Sequence, residues 1–287
     1  MSQSRTPAVA ARRSPVRALL SSCHPVPTAA VTLIATGLAV LAGNPAGRVV
    51  LVALAVLAGH LSIGWCNDAV DAARDRAVGR TDKPVAVGAV PERLVRSAAV
   101  AGALVCVPLS LALGWPAGVA SLLVVACGWA YNLGVKSTVW SAVPFAVAFG
   151  ALPAVATLAL PGHPWPAAWA VVAGALFGVS AHLANVLPDL AADAATGVRG
   201  LPHRLGARAT AVAAPSLLFV SSLVILFGSG GRSGPVAWTA AAVLAVVAVT
   251  GAAHGWRRPA GRWMFTATVV VVLADVALFA TSGARLV

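Results

Sequence analysis

Residues 59–75 read Gly59-His60-Leu61-Ser62-Ile63-Gly64-Trp65-Cys66-Asn67-Asp68-Ala69-Val70-Asp71-Ala72-Ala73-Arg74-Asp75, an apolar run that ends abruptly in acids. Asp68, Asp71 and Asp75 stand at i, i+3 and i+7, so a helix carried past the apolar run puts all three on one face. The run itself spans roughly 49–66. That is close to the ~20 residues a helix needs to cross about 30 Å of hydrocarbon.

Eight further runs of that kind lie at roughly 26–43, 94–113, 116–133, 139–160, 167–187, 211–228, 235–253 and 264–281. The sequence therefore predicts an all-α integral membrane protein with nine transmembrane helices. Composition agrees: 59% of the 287 residues are hydrophobic and 10% charged, where soluble domains run near a quarter charged. The excess lies in Ala, Val, Leu and Gly, which excludes a disordered chain, a collagen and a disulfide scaffold. Gly43-Asn44-Pro45, Gly114-Trp115-Pro116, Pro161-Gly162-His163-Pro164 and Gly228 through Pro235 separate runs. Pro108, Pro144 and Pro153 predict kinks inside them. Cys23, Cys66, Cys106 and Cys127 show no metal-ligand or CxxC spacing and read as small packing residues.

The net charge of +12 invites a nucleic-acid reading until the bases are placed. They fall between the runs, and all of the 20 except Arg48, Arg232 and Arg285 fall on one side of the membrane. The positive-inside rule makes that side cytoplasmic, places the N-terminus there and the C-terminus outside, and leaves no case for a nucleic-acid partner. Residues 1–24 form a flexible basic tail near anionic lipid rather than a cleaved leader, and 25–287 form one multi-pass domain, expected in the plasma membrane.

Seven of the eight acids lie just after the second and sixth runs, at their cytoplasmic ends. The sixth ends Asn185-Val186-Leu187-Pro188-Asp189-Leu190-Ala191-Ala192-Asp193, where Asn185, Asp189 and Asp193 follow i, i+4, i+8 and share a helix face. Each membrane-depth aspartate costs about 2.5–3.5 kcal/mol, and neighbouring carboxylates repel further. Divalent cations offset this, and an all-oxygen set suits Mg²⁺ shared with substrate phosphates. Arg74, Arg76, Arg80 and Lys83 follow the first cluster, Arg199 and Arg204 the second. A phosphorylated head beneath an apolar bundle calls for a hydrocarbon tail, as in an isoprenoid diphosphate. The bland alternative is a solvated network of acids paired with these arginines.

These residues resemble the UbiA superfamily of intramembrane prenyltransferases, nine-helix proteins with two aspartate-rich motifs. Asn67-Asp68-Ala69-Val70-Asp71-Ala72-Ala73-Arg74-Asp75 matches the first motif and Asp189 to Asp193 the second. Arg80-Thr81-Asp82-Lys83-Pro84-Val85-Ala86-Val87-Gly88 is similar to the family's diphosphate-holding loop, and Tyr131-Asn132-Leu133-Gly134-Val135-Lys136 to its Tyr…Lys segment. The resemblance covers residues ~20–280. It implies that Asp68, Asp71, Asp75, Asp189 and Asp193 carry catalysis and hold two Mg²⁺ ions bridged by the diphosphate. It further implies that Asn67, Arg80, Lys83, Tyr131, Lys136, Asn185, Arg199 and Arg204 bind substrate. One stretch departs from the family: Ser21-Ser22-Cys23-His24-Pro25-Val26-Pro27-Thr28 lacks the Arg or Lys that pairs with a carboxylate acceptor, which argues against a 4-hydroxybenzoate-like partner.

The implied reaction is ionisation of an allylic diphosphate in a dry pocket. A lipophilic acceptor then captures the cation, or an internal double bond does, as in a UbiA-type terpene cyclase. A cation transporter is the non-enzyme alternative, disfavoured by acids gathered at one face and by the absence of an evident repeat. His60 and His182 lie about two turns deeper than the motifs and are candidates to accept the final proton. Trp65, Trp129 and Phe177 offer rings to a cation. Asp275, inside the last run, reads equally as a functional acid or as one bonded to a neighbouring helix.

Overall fold

The computed structural model describes residues 14–228, 234–258, 263–282 and 286–287. Arg5, Arg12, Arg13, Arg232, Arg262 and Arg285 lie outside the described residues, as do most of the expected basic tail and of the 228–234 loop. The described residues form helices and connecting turns, with no strand among them.

A short α1 (Pro15–Ser21), capped by the Ser14 hydroxyl, turns through 60° into α2 (Pro25–Leu41). Then come α3 (Ala46–Ala77), α4 (Glu92–Leu111), α5 (Trp115–Leu133), α6 (Val143–Thr157) and α7 (Ala168–Val186). Two short helices, α8 (Leu190–Ala195) and α9 (Leu201–Leu205), precede α10 (Ala207–Gly228), α11 (Pro235–Arg257) and α12 (Trp263–Ser282). Each apolar run contains one long helix, nine among the described residues. Six are long and apolar enough by themselves to cross a membrane: α3, α4, α5, α10, α11 and α7 continued through α8. The bent pair α1–α2 makes a seventh, while α6 and Trp263–Val276 of α12 are apolar but shorter.

Prolines account for most differences from the expected spans. Pro144 does not kink a helix but opens α6, where its missing N–H costs nothing, so the 139–160 run yields a shorter helix. Pro188 breaks the second acidic segment: α7 stops at Val186, a 3₁₀ turn covers Leu187–Asp189, and α8 carries Asp193. The expected continuous helix face through Asn185, Asp189 and Asp193 is therefore two helices and a turn. By contrast α3 runs unbroken for 32 residues, about 48 Å, and carries the first motif beyond the span.

Helix α3 packs on α2, α4 and α5; α6 lies between α5 and α7; α7 also packs on α10 and α12; and α12 reaches back to α2. The central core joins Ile34 and Ala35 of α2, Val52 and Val56 of α3, Val155 of α6 and Ala181 of α7. Helices α6 and α7 pack with their backbones in close contact. A Cβ at Gly174 would lie 2.4 Å from the Phe149 carbonyl oxygen, and one at Gly178 2.3 Å from that of Phe145. The Gly174-x-x-x-Gly178 stripe thus lets backbones touch, as small residues do in membrane bundles. Gly178→Val is expected to lower the thermal midpoint in detergent, at an overpacking cost of about 1–3 kcal/mol; an unchanged midpoint would refute this contact.

Candidate active site

The acids of the two motifs pair with Arg74 of α3 itself, with Arg80 and Lys83 of the loop after it and with Lys136 of the turn after α5. On α3, Asp68 is 2% exposed. Its Oδ1 accepts from Lys83 Nζ at 2.6 Å and contacts His24 Nε2 at 3.0 Å. Asp71 accepts from Lys136, in the turn after α5, and pairs with Arg74 at 2.8 Å. Asn67 donates to Asp71 at 3.2 Å and to Asn132 Oδ1 at 3.1 Å, while Asn132 donates back to the Ile63 carbonyl. Arg80 forks onto Asp82 at 2.8 and 2.9 Å and reaches Asp189 at 3.1 Å. Arg74 lies 3.9 Å from Asp193. Acids and bases do pair, some locally, as Arg74 with Asp71 and Arg80 with Asp82, and some across widely separated elements, as Lys136 with Asp71 and Arg80 with Asp189.

Burial pulls the Lys136 ammonium below the usual lysine range against the opposing pull of Asp71. Hydrogen bonding to Asp82 pushes the Arg80 guanidinium higher.

The elbow between α1 and α2 delivers His24. The Cys23 carbonyl presses on α3 where a Cβ at Gly64 would lie 2.2 Å away, so only glycine fits. Thr28 donates to that carbonyl, and Trp65 Nε1 to the Leu19 carbonyl at 2.9 Å. His24 takes a left-handed φ of 54°, costly for a non-glycine residue, and meets Asp68 one turn beyond Gly64.

His24, Asn67, Asp68, Asp71, Arg74, Arg80, Asp82, Lys83 and Lys136 face one cavity of about 460 Å³, which Asp75, Tyr131, His182, Asn185, Asp189, Asp193 and His203 also line. Six carboxylates (Asp68, Asp71, Asp75, Asp82, Asp189, Asp193) face four cations (Arg74, Arg80, Lys83, Lys136). An excess of two negative charges remains. Among the described residues no three His, Cys, Asp or Glu side chains are grouped so that they could hold a metal ion. Arg199 and Arg204 are exposed and outside this lining, because the turn into α9 brings Val198, Gly200, Pro202 and His203 to the cavity instead.

A second, apolar cavity of about 200 Å³ continues inward, sharing His24, Asn67, Tyr131 and Asn185 with the first. His60 lines it, with Nδ1–H donating to the Val56 carbonyl at 3.1 Å. Phe177 lines it too; Trp65 and Trp129 do not, their indoles being tied to the Leu19 carbonyl and Ser62. Asp275 sits apart and accepts from Ser222 of α10 at 2.6 Å.

His182 is 1% exposed and touches Ser141 Oγ through Nε2 at 3.0 Å. Leu201 N–H donates to the same hydroxyl at 2.9 Å. Nδ1 of His182 and both ring nitrogens of His203 lack a partner among the described residues. Burial lowers His203 below the usual histidine range. His24, His203, Asn132 and Ser141 went unrecognised as site residues in the sequence. The only signals were the positions of His24 beside a proline elbow and of His203 ten residues after Asp193.

The fold and site define a polytopic membrane protein with a charged cavity stacked on an apolar one. The chain belongs to the UbiA prenyltransferase family, whose profile matches residues 26–279. Structures agree at the level of the fold. A UbiA homolog from Archaeoglobus fulgidus bound to DMAPP and Mg²⁺ superposes with a TM-score of 0.70 at 14% identity, over 91% of this chain and 97% of that one. The apo UbiA homolog from Aeropyrum pernix K1 gives 0.67 at 20% identity, over 93% and 98%. A digeranylgeranylglyceryl phosphate synthase gives 0.62 at 13%, over 93% and 98%. No curated protein sequence matches the chain significantly.

Proposed function

We propose that the protein is a Mg²⁺-dependent intramembrane prenyltransferase that ionises an allylic isoprenoid diphosphate and passes the prenyl group to a lipophilic acceptor. The observation that carries this reading is the stack of cavities, an acid-rich one with two negative charges in excess above an apolar one of about 200 Å³. A diphosphate ester fits that stack only if divalent cations accompany it. The related Archaeoglobus fulgidus protein holds DMAPP or GPP with Mg²⁺.

The donor set is oxygen-only and fits magnesium. Asp68, Asp71 and Asp75 from α3, with Asp189 and Asp193 opposite, are the residues to hold it. Bound there, it supplies Lewis-acid neutralisation of the leaving oxygens. Lys83, Lys136, Arg74 and Arg80 then turn from carboxylate to phosphate oxygens, completing the charge around the head. The C1–O bond breaks with its electron pair leaving on the diphosphate, and the allylic cation stays in the apolar cavity away from water. A nucleophilic atom of the acceptor bonds to C1 and loses its proton. His60, with Nδ1 donating to the Val56 carbonyl, keeps Nε2 free to take that proton, and the Nδ1 of His182, unpartnered among the described residues, is open to the substrate. Arg199 and Arg204 serve the approach of the anionic head from outside the cavity.

The charge pattern supports a cytoplasmic cavity and a cytoplasmic N-terminus, and the nine apolar runs support nine crossings, in a protein we assign to the plasma membrane. Cyclisation without an acceptor is the second reading, favoured by the missing Arg or Lys near His24. Purified protein is to be incubated with Mg²⁺ and C10, C15 and C20 allylic diphosphates, with and without fractionated cell lipids. A prenylated lipid is expected; a cyclic hydrocarbon in the lipid-free arm moves the assignment to a cyclase, and no diphosphate release in either arm overturns both.

A further inference from the structure

Helices α2, α7 and α12 meet three cavities in the same order, and α6 meets the last two. Along α2 the charged cavity takes Pro25–Pro27, the apolar one Pro27–Ile34, and a third, of about 70 Å³, takes Ile34, Leu38 and Leu41. Along α6 the apolar cavity takes Pro144–Phe149 and the third Phe149–Pro153. Read from its C-terminal end, α7 gives Val186, Asn185 and His182 to the first, Asn185 to Phe177 to the second, and Phe177 to Trp169 to the third. On α12, Phe265 and Val269 line the second, and Val272 and Asp275 the third. The cavities therefore form one column, and the second and third share only Ile34, Phe149 and Phe177 as a partition.

Two of these side chains form a rigid plate. The rings of Phe149 and Phe177 meet edge to face at 88°, centroids 4.9 Å apart, and Phe145 stacks on Phe149 at 6.4 Å. Ile34 and Phe177 are 5% and 6% exposed. The glycine stripe explains the placement. With α6 in backbone contact at Gly174 and Gly178, no space remains between the helices for Phe145 and Phe149, so both rings turn into the column.

We propose that the Ile34–Phe149–Phe177 partition is a stop that fixes the length of the prenyl chain at two isoprene units, with the 70 Å³ cavity held in reserve behind it. From Pro27 to Ile34 the chamber is seven helical steps deep, about 10 Å. An extended isoprenoid advances about 5 Å per five-carbon unit on C–C bonds of about 1.5 Å. Two units fill that depth, and a third meets the rings. Ile34 to Leu41 offers another seven steps, about 10 Å, so removing the plate gives room for a C20 chain. This rests on the allylic-diphosphate reading above.

The test compares diphosphate release from C10, C15 and C20 allylic diphosphates by wild type, Phe177→Ala and Phe177→Trp. Wild type is expected to favour C10. Phe177→Ala is expected to raise the C20-to-C10 ratio of kcat/KM at least about tenfold, the size of discrimination a few methylenes give in an apolar pocket. Phe177→Trp is expected to lower the C15-to-C10 ratio. If Phe177→Ala does not accumulate as folded protein, Phe149→Leu trims the same plate and carries the same expectation. Turnover with a ratio that does not move sinks the stop alone. An equal fall for every chain length does the same and makes Phe177 a cation-stabilising ring. No turnover of any length by wild type overturns the enzymatic reading, and the stop with it.

Discussion

Asp68→Ala is expected to reduce diphosphate release by about a hundredfold to a thousandfold, on the scale of losing one electrostatic anchor in an active site. The same change has a structural cost. Asp68 is 2% exposed and stands between Lys83 and His24, so its removal leaves the part-buried Lys83 ammonium with His24 Nε2 at 3.0 Å but without its carboxylate, at up to about 3–5 kcal/mol. Loss of activity in this variant alone therefore does not separate chemistry from folding. Asp189→Ala does. Its side chain is 38% exposed, and its partner Arg80 keeps the fork on Asp82. Stability should fall by less than about 1 kcal/mol, as for exposed pairs, while diphosphate release falls as far as in Asp68→Ala. Activity and thermal midpoint should be measured on both variants in the same detergent. An Asp189→Ala enzyme retaining more than about a tenth of wild-type release removes the second acidic segment from the site, since the loss of one such group costs at least a hundredfold.

The two acidic segments were legible in the sequence for different reasons. Around Asp68 the spacing i, i+3, i+7 predicts a shared face, and an unbroken α3 delivers it. Around Asp189 the spacing predicts a continuous face, yet Pro188 breaks the helix; Asn185, Asp189 and Asp193 still line one cavity because the 3₁₀ turn is short. Helix periodicity is local, so local spacing carried it. What spacing cannot carry is the meeting of distant segments. His24 reaches Asp68 only because an elbow sits on Gly64, and Ser141 Oγ joins the His182 ring to the Leu201 N–H. Neither contact leaves a periodic trace. Basic residues misled in the opposite sense: Arg199 and Arg204 follow an acidic motif just as Arg80 and Lys83 do, but the turn into α9 leaves them outside the cavity. The apolar runs predicted every long helix, while their lengths did not foresee that α6 begins only at Val143.

Inorganic pyrophosphate is expected not to bind at all without a divalent cation. The cavity's six carboxylates outnumber its four cations by two, and Lys83 and Lys136 are already engaged by Asp68 and Asp71. A further anion at about 4 Å from an unneutralised carboxylate meets a repulsion of about 4 kcal/mol at the effective dielectric near a protein surface. Magnesium alone should bind weakly as well, because no three ligating side chains are grouped in advance among the described residues. The two together reverse both signs: each supplies the charge the other lacks, and linkage makes the factor by which Mg²⁺ tightens pyrophosphate equal to the factor by which pyrophosphate tightens Mg²⁺. Thermal unfolding in detergent reads this directly. Pyrophosphate with chelator should leave the midpoint unmoved and Mg²⁺ alone should move it little. Both together, at a hundredfold over the dissociation constant, should stabilise by roughly 2.7 kcal/mol. Stabilisation by pyrophosphate in chelator would mean that Lys83, Lys136, Arg74 and Arg80 hold the head unaided, and that the aspartates serve only to position those four cations.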